Sequence, residues 1–294
     1  ALRFVRPQPT FEDYLSCDRD NPWMARPGDT LIVMDPVERA VVSQPVVLET
    51  MEIPAGIRVR VDRKIPGLRT GTDYEKALSF HNDDAALPGF VVKNNEFKSA
   101  VRFGFLLKSR DGLVDGNLFE RHSDQSICIL NTYQEYNGGI PSNLLIRNNT
   151  FRLASGWPVK TAQTAQHLLN PNRNIFGVLQ ASFNWPVGQW DIEESRLRVI
   201  RNLYIENNRF INWWQNPGIS LNNGLHVLIK GNTFELDDAF AATALTGTPI
   251  AVKVVNSTDV RIEDNILTGP GLNPEDGIRL IDSGRIVLKN NQKK

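Results

Sequence analysis

The chain has 294 residues, 41% of them hydrophobic, so it can bury a large core. Its 33 basic and 33 acidic residues balance without a basic stripe, which argues against nucleic acid as a partner. No apolar run approaches the ~18 residues of a transmembrane helix, so no membrane span is expected. The four histidines are scattered and show no metal-ligand spacing, so no metal or other cofactor is expected. The two cysteines, Cys17 and Cys128, leave open whether they pair.

The first part of the chain, residues 1–75, does not repeat. Residues 26–36, 38–53 and 56–67 alternate apolar and polar side chains between prolines and glycines, which is typical of strands. We therefore predict a small β-rich, barrel-like domain or insertion over residues 1–75.

The rest of the chain, residues 76–294, carries a recurring phrase. Apolar residues alternate with polar ones, an Asn follows, and a Phe or Leu stands two positions later. The copies are FVVKNNEF, GLVDGNLF, LLIRNNTF, LYIENNRF, VLIKGNTF, VRIEDNIL and a truncated IVLKNN. Their marker residues are Asn95, Asn117, Asn149, Asn208, Asn232, Asn265 and Asn291. Spacings of 22, 32, 59, 24, 33 and 26 fit coils of roughly 20–30 residues, with loop insertions in the longer steps.

A second strand pattern lies between the copies, so each coil contains at least two strands. These stretches are residues 101–108, 126–130, 175–182, 217–223, 249–256 and 277–283. The Asn suits a turn, because it tolerates left-handed backbone, and the Phe is expected to point inward. Leucine-rich repeats need fixed Leu positions and a helix per repeat, which are absent here. We predict an all-β fold, a right-handed parallel β-helix.

The longest interruption of the β-helix spans residues 152–198. It contains a short helical pattern at residues 161–170 and a segment rich in Trp and Pro at residues 183–191. The exposed ends of a solenoid need caps. The charged KNNQKK can close one end. The other end, near residue 76, has only the small domain, so we expect upstream coils missing from this chain, or a homo-oligomer.

Five segments in order show a resemblance to a known family: PGDTL (27–31), RFGFLLKS (102–109), GNLFE (116–120), YQEYNGG (133–139) and LIRNNTF (145–151). They resemble glycoside hydrolase family 110, the α-1,3-galactosidases, over about residues 26–151. The resemblance implies a β-helix interrupted by a small barrel, and activity on galactose-type sugars. In that family an Asp-Asp pair important for catalysis lies upstream of the barrel. Here that pair has no counterpart, because Asp83–Asp84 follow the barrel and suit a turn.

Three carboxylates are candidate catalytic residues, since glycosidases use two carboxyl groups that flank the scissile bond. Asp124 begins SDQSICIL, which resembles the Asp-Asp-x-I-x-I strand of polygalacturonases with Gln125 in the second place. Glu135 follows in the loop TYQEYNGG, and Glu120 ends the preceding coil. The competing interpretation is that each is an ordinary surface carboxylate.

Candidate substrate-binding residues lie in the same region. Arg102 can hold a sugar hydroxyl or form an exposed ion pair, and His122 can assist acid–base chemistry or be structural. Aromatic side chains can stack on the apolar face of a sugar or pack against the solenoid. The candidates are Arg102, His122, Asn131, Tyr133, Tyr136, Trp157, Trp213 and Trp214. Of the adjacent tryptophans, at least one is expected to serve packing.

The leading hypothesis is a glycoside hydrolase acting on an oligo- or polysaccharide with galactose-type bonds. It implies a secreted, periplasmic or cell-surface protein. One alternative is a non-catalytic β-helix that serves as a carbohydrate-binding or surface module, or a C-terminal fragment of a larger enzyme. Another is a polysaccharide lyase, which needs a base and often Ca²⁺, although no dense Asp cluster indicates a Ca²⁺ site.

Overall fold

The computed structural model describes residues 14–17, 25–35, 37–38, 40–53, 56–68, 78–100, 103–132, 139–154, 177–184, 198–214, 216–244 and 247–294. For residues 14–17, 56, 131–132, 183–184 and 243–244 it describes the backbone alone. The predicted helix at 161–170 and most of the 152–198 insertion lie outside these residues.

Two small antiparallel sheets form the N-terminal region. One has the order β1, β5, β4, with bounds β1 (Tyr14–Cys17), β4 (Val47–Ile53) and β5 (Gly56–Val61). The other has the order β3, β2, β6, with bounds β2 (Leu31–Asp35), β3 (Ala40–Ser43) and β6 (Ser79–Asn82). β6 follows residue 76 yet pairs with β2. The division into domains at that residue stays a prediction.

From Val91 onward the chain winds through three parallel sheets, one strand of each per coil, which confirms the predicted parallel β-helix class. The first sheet contains β7 (Val91–Lys93), β10 (Gly112–Asp115), β13 (Ser142–Arg147), β16 (Ile200–Glu206), β19 (Gly224–Lys230), β22 (Thr258–Glu263) and β25 (Gly284–Lys289). The second contains β8 (Glu96–Lys98), β11 (Leu118–Glu120), β14 (Thr150–Arg152), β17 (Arg209–Ile211), β20 (Thr233–Glu235), β23 (Ile266–Thr268) and β26 (Gln292–Lys293). The third contains β9 (Phe105–Leu107), β12 (Ile127–Thr132), β15 (Leu179–Asn184), β18 (Ile219–Asn222), β21 (Val252–Val255) and β24 (Ile278–Ile281).

Each copy of the repeated phrase covers two strands rather than one, because the chain turns at the two residues between them, which are Asn94 and Asn95 in the first copy. In the copy FVVKNNEF, Asn94 has a φ of +55°, a left-handed conformation that Asn tolerates better than most residues. The same corner holds Gly116 at +68° and Asn148 at +55° in the next coils. The corner therefore separates each strand of the first sheet from one of the second.

The marker asparagines form a ladder inside this corner. Asn149 donates its side-chain amide to Asn208 Oδ1 at 2.9 Å, and Asn208 donates to Asn232 Oδ1 at 3.0 Å. From Asn117 onward each side chain also donates to a carbonyl of the preceding coil, as Asn208 does to Ile146 at 2.9 Å. The step of 59 residues is thus a single step of the ladder. The marker asparagines are structural, as expected, but the left-handed conformation expected of them falls on the residue before each one.

The phenylalanines of the phrase stack in the core beside this ladder. Phe119, Phe151, Phe210 and Phe234 are fully buried, with successive ring centroids 5.1, 4.7 and 4.9 Å apart. Such stacking adds to the burial of apolar area in every coil. The ladder and the stack together set the register of the sheets.

A second row, on the outer side of the first sheet, alternates in charge from coil to coil. In register it consists of Lys93, Asp115, Arg147, Glu206, Lys230, Glu263 and Lys289. Asp115 is buried between its neighbours, 3.4 Å from Lys93 and 3.2 Å from Arg147. Opposite charges that face each other across strands stabilise a sheet.

Asp115→Asn is expected to lower the free energy of unfolding by about 1–2 kcal/mol, because charge-assisted bonds are lost between two cations. A hydrogen bond from Asn148, followed by Arg147, lowers the pKa of Asp115 below its ordinary 3.8. A carboxyl group whose pKa is lower in the folded state stabilises the fold at pH values above its unfolded-state pKa. The contribution of Asp115 should therefore fade as the pH falls below 3.8.

Urea unfolding at several pH values measures this contribution. The control is Asp264→Asn, because Asp264 is more exposed and lies 3.7 Å from Lys230. It should change stability by less than about 0.5 kcal/mol. Equal effects of the two variants would contradict the role of the charge row.

In the described part of the chain two short helices interrupt the coils, α1 (Asp238–Ala244) and α2 (Pro274–Gly277). Asp238 lies in the first turn of α1, where a carboxylate is favoured by the helix N-terminus. None of the helices in the described part of the chain is long and apolar enough to cross a membrane.

Candidate functional site

The outer side of the third sheet differs from that of the first. Residues such as Ile129 and Leu221 alternate inward and fill the core. The outward positions between them are also buried: Cys128, Gln180, Ser220 and Lys253 are each about 1% exposed. On the first sheet the outward Val91 is 64% exposed. The outer face of the third sheet is therefore covered from β12 to β21, whereas the outward Leu106 of β9 is 42% exposed.

The buried outer row is polar and not fully hydrogen-bonded. Gln180 Nε2 donates to Ser182 Oγ at 2.8 Å. Within the described part of the chain, Gln180 Oε1 and both amide atoms of Asn222 have no hydrogen-bond partner. An unpaired buried polar group costs about 1–3 kcal/mol, so native structures usually satisfy it with water or a ligand. We call the row Gln180, Ser220, Asn222 and Lys253 the outer polar row.

Lys253 is the charged member of this row. Burial lowers its pKa from 10.5 to about 8, and the neighbouring positive charge of Arg279 acts in the same direction. The two residues face each other across β21 and β24. The row thus holds a cation at neutral pH and can lose its proton at mildly alkaline pH.

A depressed lysine pKa predicts a pH-dependent stability. Between about pH 8 and 10.5, Lys253 is protonated in the unfolded protein but has lost its proton in the folded protein. The free energy of unfolding should therefore rise with pH in this window. The expected contribution is on the order of 1–3 kcal/mol.

Chemical unfolding of wild type and Lys253→Met from pH 7 to 10.5 tests this prediction. The two proteins should differ in the slope of the free energy of unfolding against pH. The exposed Lys289→Met is the matched control and should keep the wild-type slope. A slope unchanged by Lys253→Met would show that Lys253 is not the titrating group.

Asp124 lies in the turn before β12, in the same coil as Cys128 of the outer face. It is half-buried, and its Oδ1 accepts the backbone N–H of Gln125 at 3.1 Å. Gln125 itself is buried, and its Oε1 has no hydrogen-bond partner among the described residues. A carboxylate thus lies at the start of a strand of the third sheet.

His122, expected as a substrate-binding residue, is buried beneath this turn. Its Nδ1 lies 3.0 Å from Ser126 Oγ, and its ring meets Phe119 edge-on. Burial lowers the pKa of His122, and a hydrogen bond to the backbone of Phe97 partly offsets that effect. A Cβ at Gly104 would lie 2.5 Å from the ring. These contacts favour the structural interpretation of His122.

Glu120 is engaged in an ion pair with Arg152 of the next coil, at 2.5 Å. The pair crosses β11 and β14 of the second sheet, where the two residues are in register. The Glu120 side chain is only 11% exposed. This arrangement favours a structural carboxylate over a catalytic one.

The two adjacent tryptophans separate as the sequence predicts. Trp213 lies in the core, 1% exposed, and meets Phe234 edge-on at 6.0 Å. It cannot reach a sugar on the surface. Trp214 is half-buried and packs edge-on against Phe240 of α1 at 5.2 Å.

The acidic pair Asp83–Asp84 has structural partners, as expected. Asp83 accepts the backbone N–H of Ile140 at 2.8 Å, and burial raises the pKa of its carboxyl. Asp84 accepts the backbone N–H of Thr30 at 2.8 Å and binds Arg110 at 3.0 Å. The pair joins the N-terminal strands to the coils.

The remaining candidates lie outside the described residues: Arg102, Tyr133, Glu135, Tyr136 and Trp157. Asn131 belongs to β12, but its side chain is likewise outside the description. Their proposed roles stay predictions.

The residues of the outer polar row were not among the candidates predicted from the sequence. A usable signal exists: LQAS, ISLN and VKVV each place a polar residue between apolar ones at positions that the register aligns. On an exposed face such residues would be unremarkable. Only their burial distinguishes them.

The described residues form a parallel β-helix with a buried polar row on the outer side of its third sheet and a carboxylate, Asp124, in the turn before one strand of that sheet. In a comparison with curated proteins, the chain is 31% identical over 116 residues to alpha-1,3-galactosidase A of Streptomyces avermitilis. The match covers 38% of this chain and 17% of that protein, so the chain spans about a sixth of the relative's length. No family model matches the chain. The likeness supports a relationship to glycoside hydrolases.

Proposed function

We propose that this chain belongs to a carbohydrate-active glycoside hydrolase that cleaves galactose-type bonds. The observation that carries the proposal is the outer polar row, a set of buried hydrogen-bonding groups on the third sheet, to which β12, the strand that follows Asp124, also belongs. Sugar hydroxyls both donate and accept hydrogen bonds, which suits such a surface. The partial likeness to an α-1,3-galactosidase supports the choice of sugar. A secreted, periplasmic or cell-surface location goes with this proposal.

The mechanism needs two carboxyl groups. One protonates the leaving oxygen, and the other activates a water or attacks the anomeric carbon. We assign one role to Asp124 and retain Glu135, eleven positions later in the sequence, as its proposed partner. The ion pair with Arg152 makes Glu120 the weaker candidate.

A second candidate function is sugar binding without catalysis. It is favoured by the ion pair of Glu120 with Arg152, which engages one of the three candidate carboxylates in a structural contact. Such a module would bind the same sugars but release no product.

The test is an activity screen against α-1,3-linked galactosides, other α-galactosides and red-algal galactans. Release of galactose supports the hydrolase, whereas binding without release supports the second function. An unsaturated product would indicate a lyase. Neither binding nor cleavage of any carbohydrate would refute both proposals.

A further inference from the structure

The outer face of the first sheet carries a mainly apolar row that is open to solvent. Two positions before the charge row, one outward side chain per coil follows the register from β10 to β25: Leu113, Leu145, Tyr204, Leu228, Arg261 and Val287. Tyr204 is 40% exposed and Val287 46%. A contiguous apolar patch on a protein surface commonly marks an interaction site. We propose that this face binds the same face of a second copy of the chain.

An open groove lies along part of this row, over β16, β19, β22 and β25. Its volume is about 500 Å³. The side chains that line it include Tyr204, Leu228, Arg261, Val287, His226 and Asp259. Because the groove is open, apolar side chains of another molecule can enter it and displace water without any rearrangement of the chain. The proposal does not depend on the proposed function, and it gives the homo-oligomer expected from the sequence a defined face.

A two-fold axis parallel to the strands fits two copies of this face together. Such an axis reverses the direction of the β-helix but keeps every strand position opposite its own equivalent, so like rows meet. The charge row of one copy therefore faces the charge row of the other. Because that row alternates in sign, an axis on a strand would oppose like charges, whereas an axis midway between two strands opposes unlike charges.

We place the axis between β16 and β19, because the second copy then covers all four strands of the groove. Glu206 faces Lys230 of the second copy in the charge row, at the two points closest to the axis. Tyr204 faces Leu228 of the second copy in the outward row. Further from the axis the facing pairs are Arg147 with Glu263, Asp115 with Lys289 and Leu113 with Val287.

A third row, two positions before the outward row, is complementary in the same register. Its members all have left-handed backbone: Asp111, Asn143, Asn202, His226, Asp259 and Arg285. Contacts within the chain order this row, since Asn143 donates to Asp111 at 2.7 Å and Arg285 binds Asp259 at 2.8 Å. Across the two-fold axis Asp111 faces Arg285, Asn143 faces Asp259 and Asn202 faces His226. Each of these pairs can form a hydrogen bond or an ion pair.

The area of the face sets the expected affinity. Six strands at ~4.8 Å and about six residues at ~3.3 Å give roughly 25 by 20 Å, or about 500 Å² per copy. A total near 1,000 Å² lies at the lower bound for specific interfaces, so we expect a Kd in the micromolar range. The facing charges should make the dimer weaker as the salt concentration rises.

Sedimentation equilibrium at about 1–200 µM chain tests the dimer, for which wild type should associate reversibly. Lys230→Glu and Glu206→Lys each oppose like charges at two points, so each variant alone should have a Kd at least about tenfold higher. An equimolar mixture of the two variants should associate with near wild-type affinity, because each variant then meets the opposite charge on the other. A purely structural effect within one chain cannot be restored by mixing.

The matched control is Lys93→Glu, which reverses a charge of the same row on β7, outside the six facing strands. It should leave the Kd unchanged. Urea unfolding midpoints verify that the variants fold. A measurement that needs no variant is hydrogen–deuterium exchange of wild type, which should be slower in β16 and β19 at about 200 µM than at about 1 µM.

Four results would overturn the inference: a wild-type monomer over the whole concentration range, a dimer indifferent to both charge reversals, charge-reversed variants that mixing does not restore, or exchange in β16 and β19 that is independent of concentration.

Discussion

Asp124→Asn is expected to reduce the rate of galactoside hydrolysis by about 10³-fold, within the range for loss of a general acid or base. The substitution removes the ability to exchange a proton or to attack the anomeric carbon, yet it keeps the shape of the side chain. Asparagine Oδ1 can still accept the Gln125 N–H bond, so the fold should survive. Initial rates on an α-1,3-linked galactoside, with unfolding midpoints measured in parallel, provide the comparison.

Asp111→Asn is the matched control. Asp111 is a carboxylate at the corner of the first sheet, with a φ of +56° that asparagine tolerates. It bonds Asn143 and Arg110 rather than any residue of the third sheet. Its substitution should change the rate by less than about twofold. An Asp124→Asn enzyme that keeps more than a tenth of the wild-type rate would exclude Asp124 as a catalytic carboxyl.

Asn208→Leu should be the most destabilising single change in the coils, by about 3–5 kcal/mol. Asn208 Oδ1 accepts both the backbone N–H and the side-chain amide of Asn149, at 3.0 and 2.9 Å. Its own amide donates to Ile146 O and Asn232 Oδ1. Leucine leaves these buried groups unpaired, at about 1–3 kcal/mol each before relaxation.

Urea denaturation followed by circular dichroism measures the loss, with Asn291→Leu as the control at the end of the ladder. Asn291 is half-buried and accepts from Asn265 at 2.9 Å, so water can replace part of its bonding. Its substitution should cost less than about half as much. Similar losses at both positions would show that the ladder does not work through buried hydrogen bonds. Solenoids can unfold in segments, so the unfolding curve from circular dichroism should be compared with the curve from a second spectroscopic probe.

The scaffold was predictable because its determinants are local and repeated. Asn149 and Asn208 stand 59 residues apart in sequence yet occupy adjacent rungs, and the phrase around each one identifies it. The Phe two positions later marks the core in the same way. The strands of the second sheet were less visible as separate strands, because strands such as β8 (Glu96–Lys98) are only three residues long.

The candidate site was harder to predict because its features depend on burial. Glu120 and His122 look available in the sequence, but Glu120 is paired with an Arg of the next coil and His122 is buried beneath a turn, which favours structural roles. Gln180, Ser220 and Asn222 look ordinary in the sequence, and only their burial on an outward face makes them candidates. What covers a face depends on contacts between distant segments, which no local pattern encodes.

Hydrogen–deuterium exchange with and without a saturating α-1,3-linked galactoside tests the central claim most directly, since it locates the sugar without requiring turnover. The outer face of the third sheet is the proposed site, so exchange should slow in β12, β15, β18 and β21. The outer face of the first sheet, around Tyr204 and Arg261, should be unaffected. Protection confined to the first sheet, or none at saturation, would contradict the account.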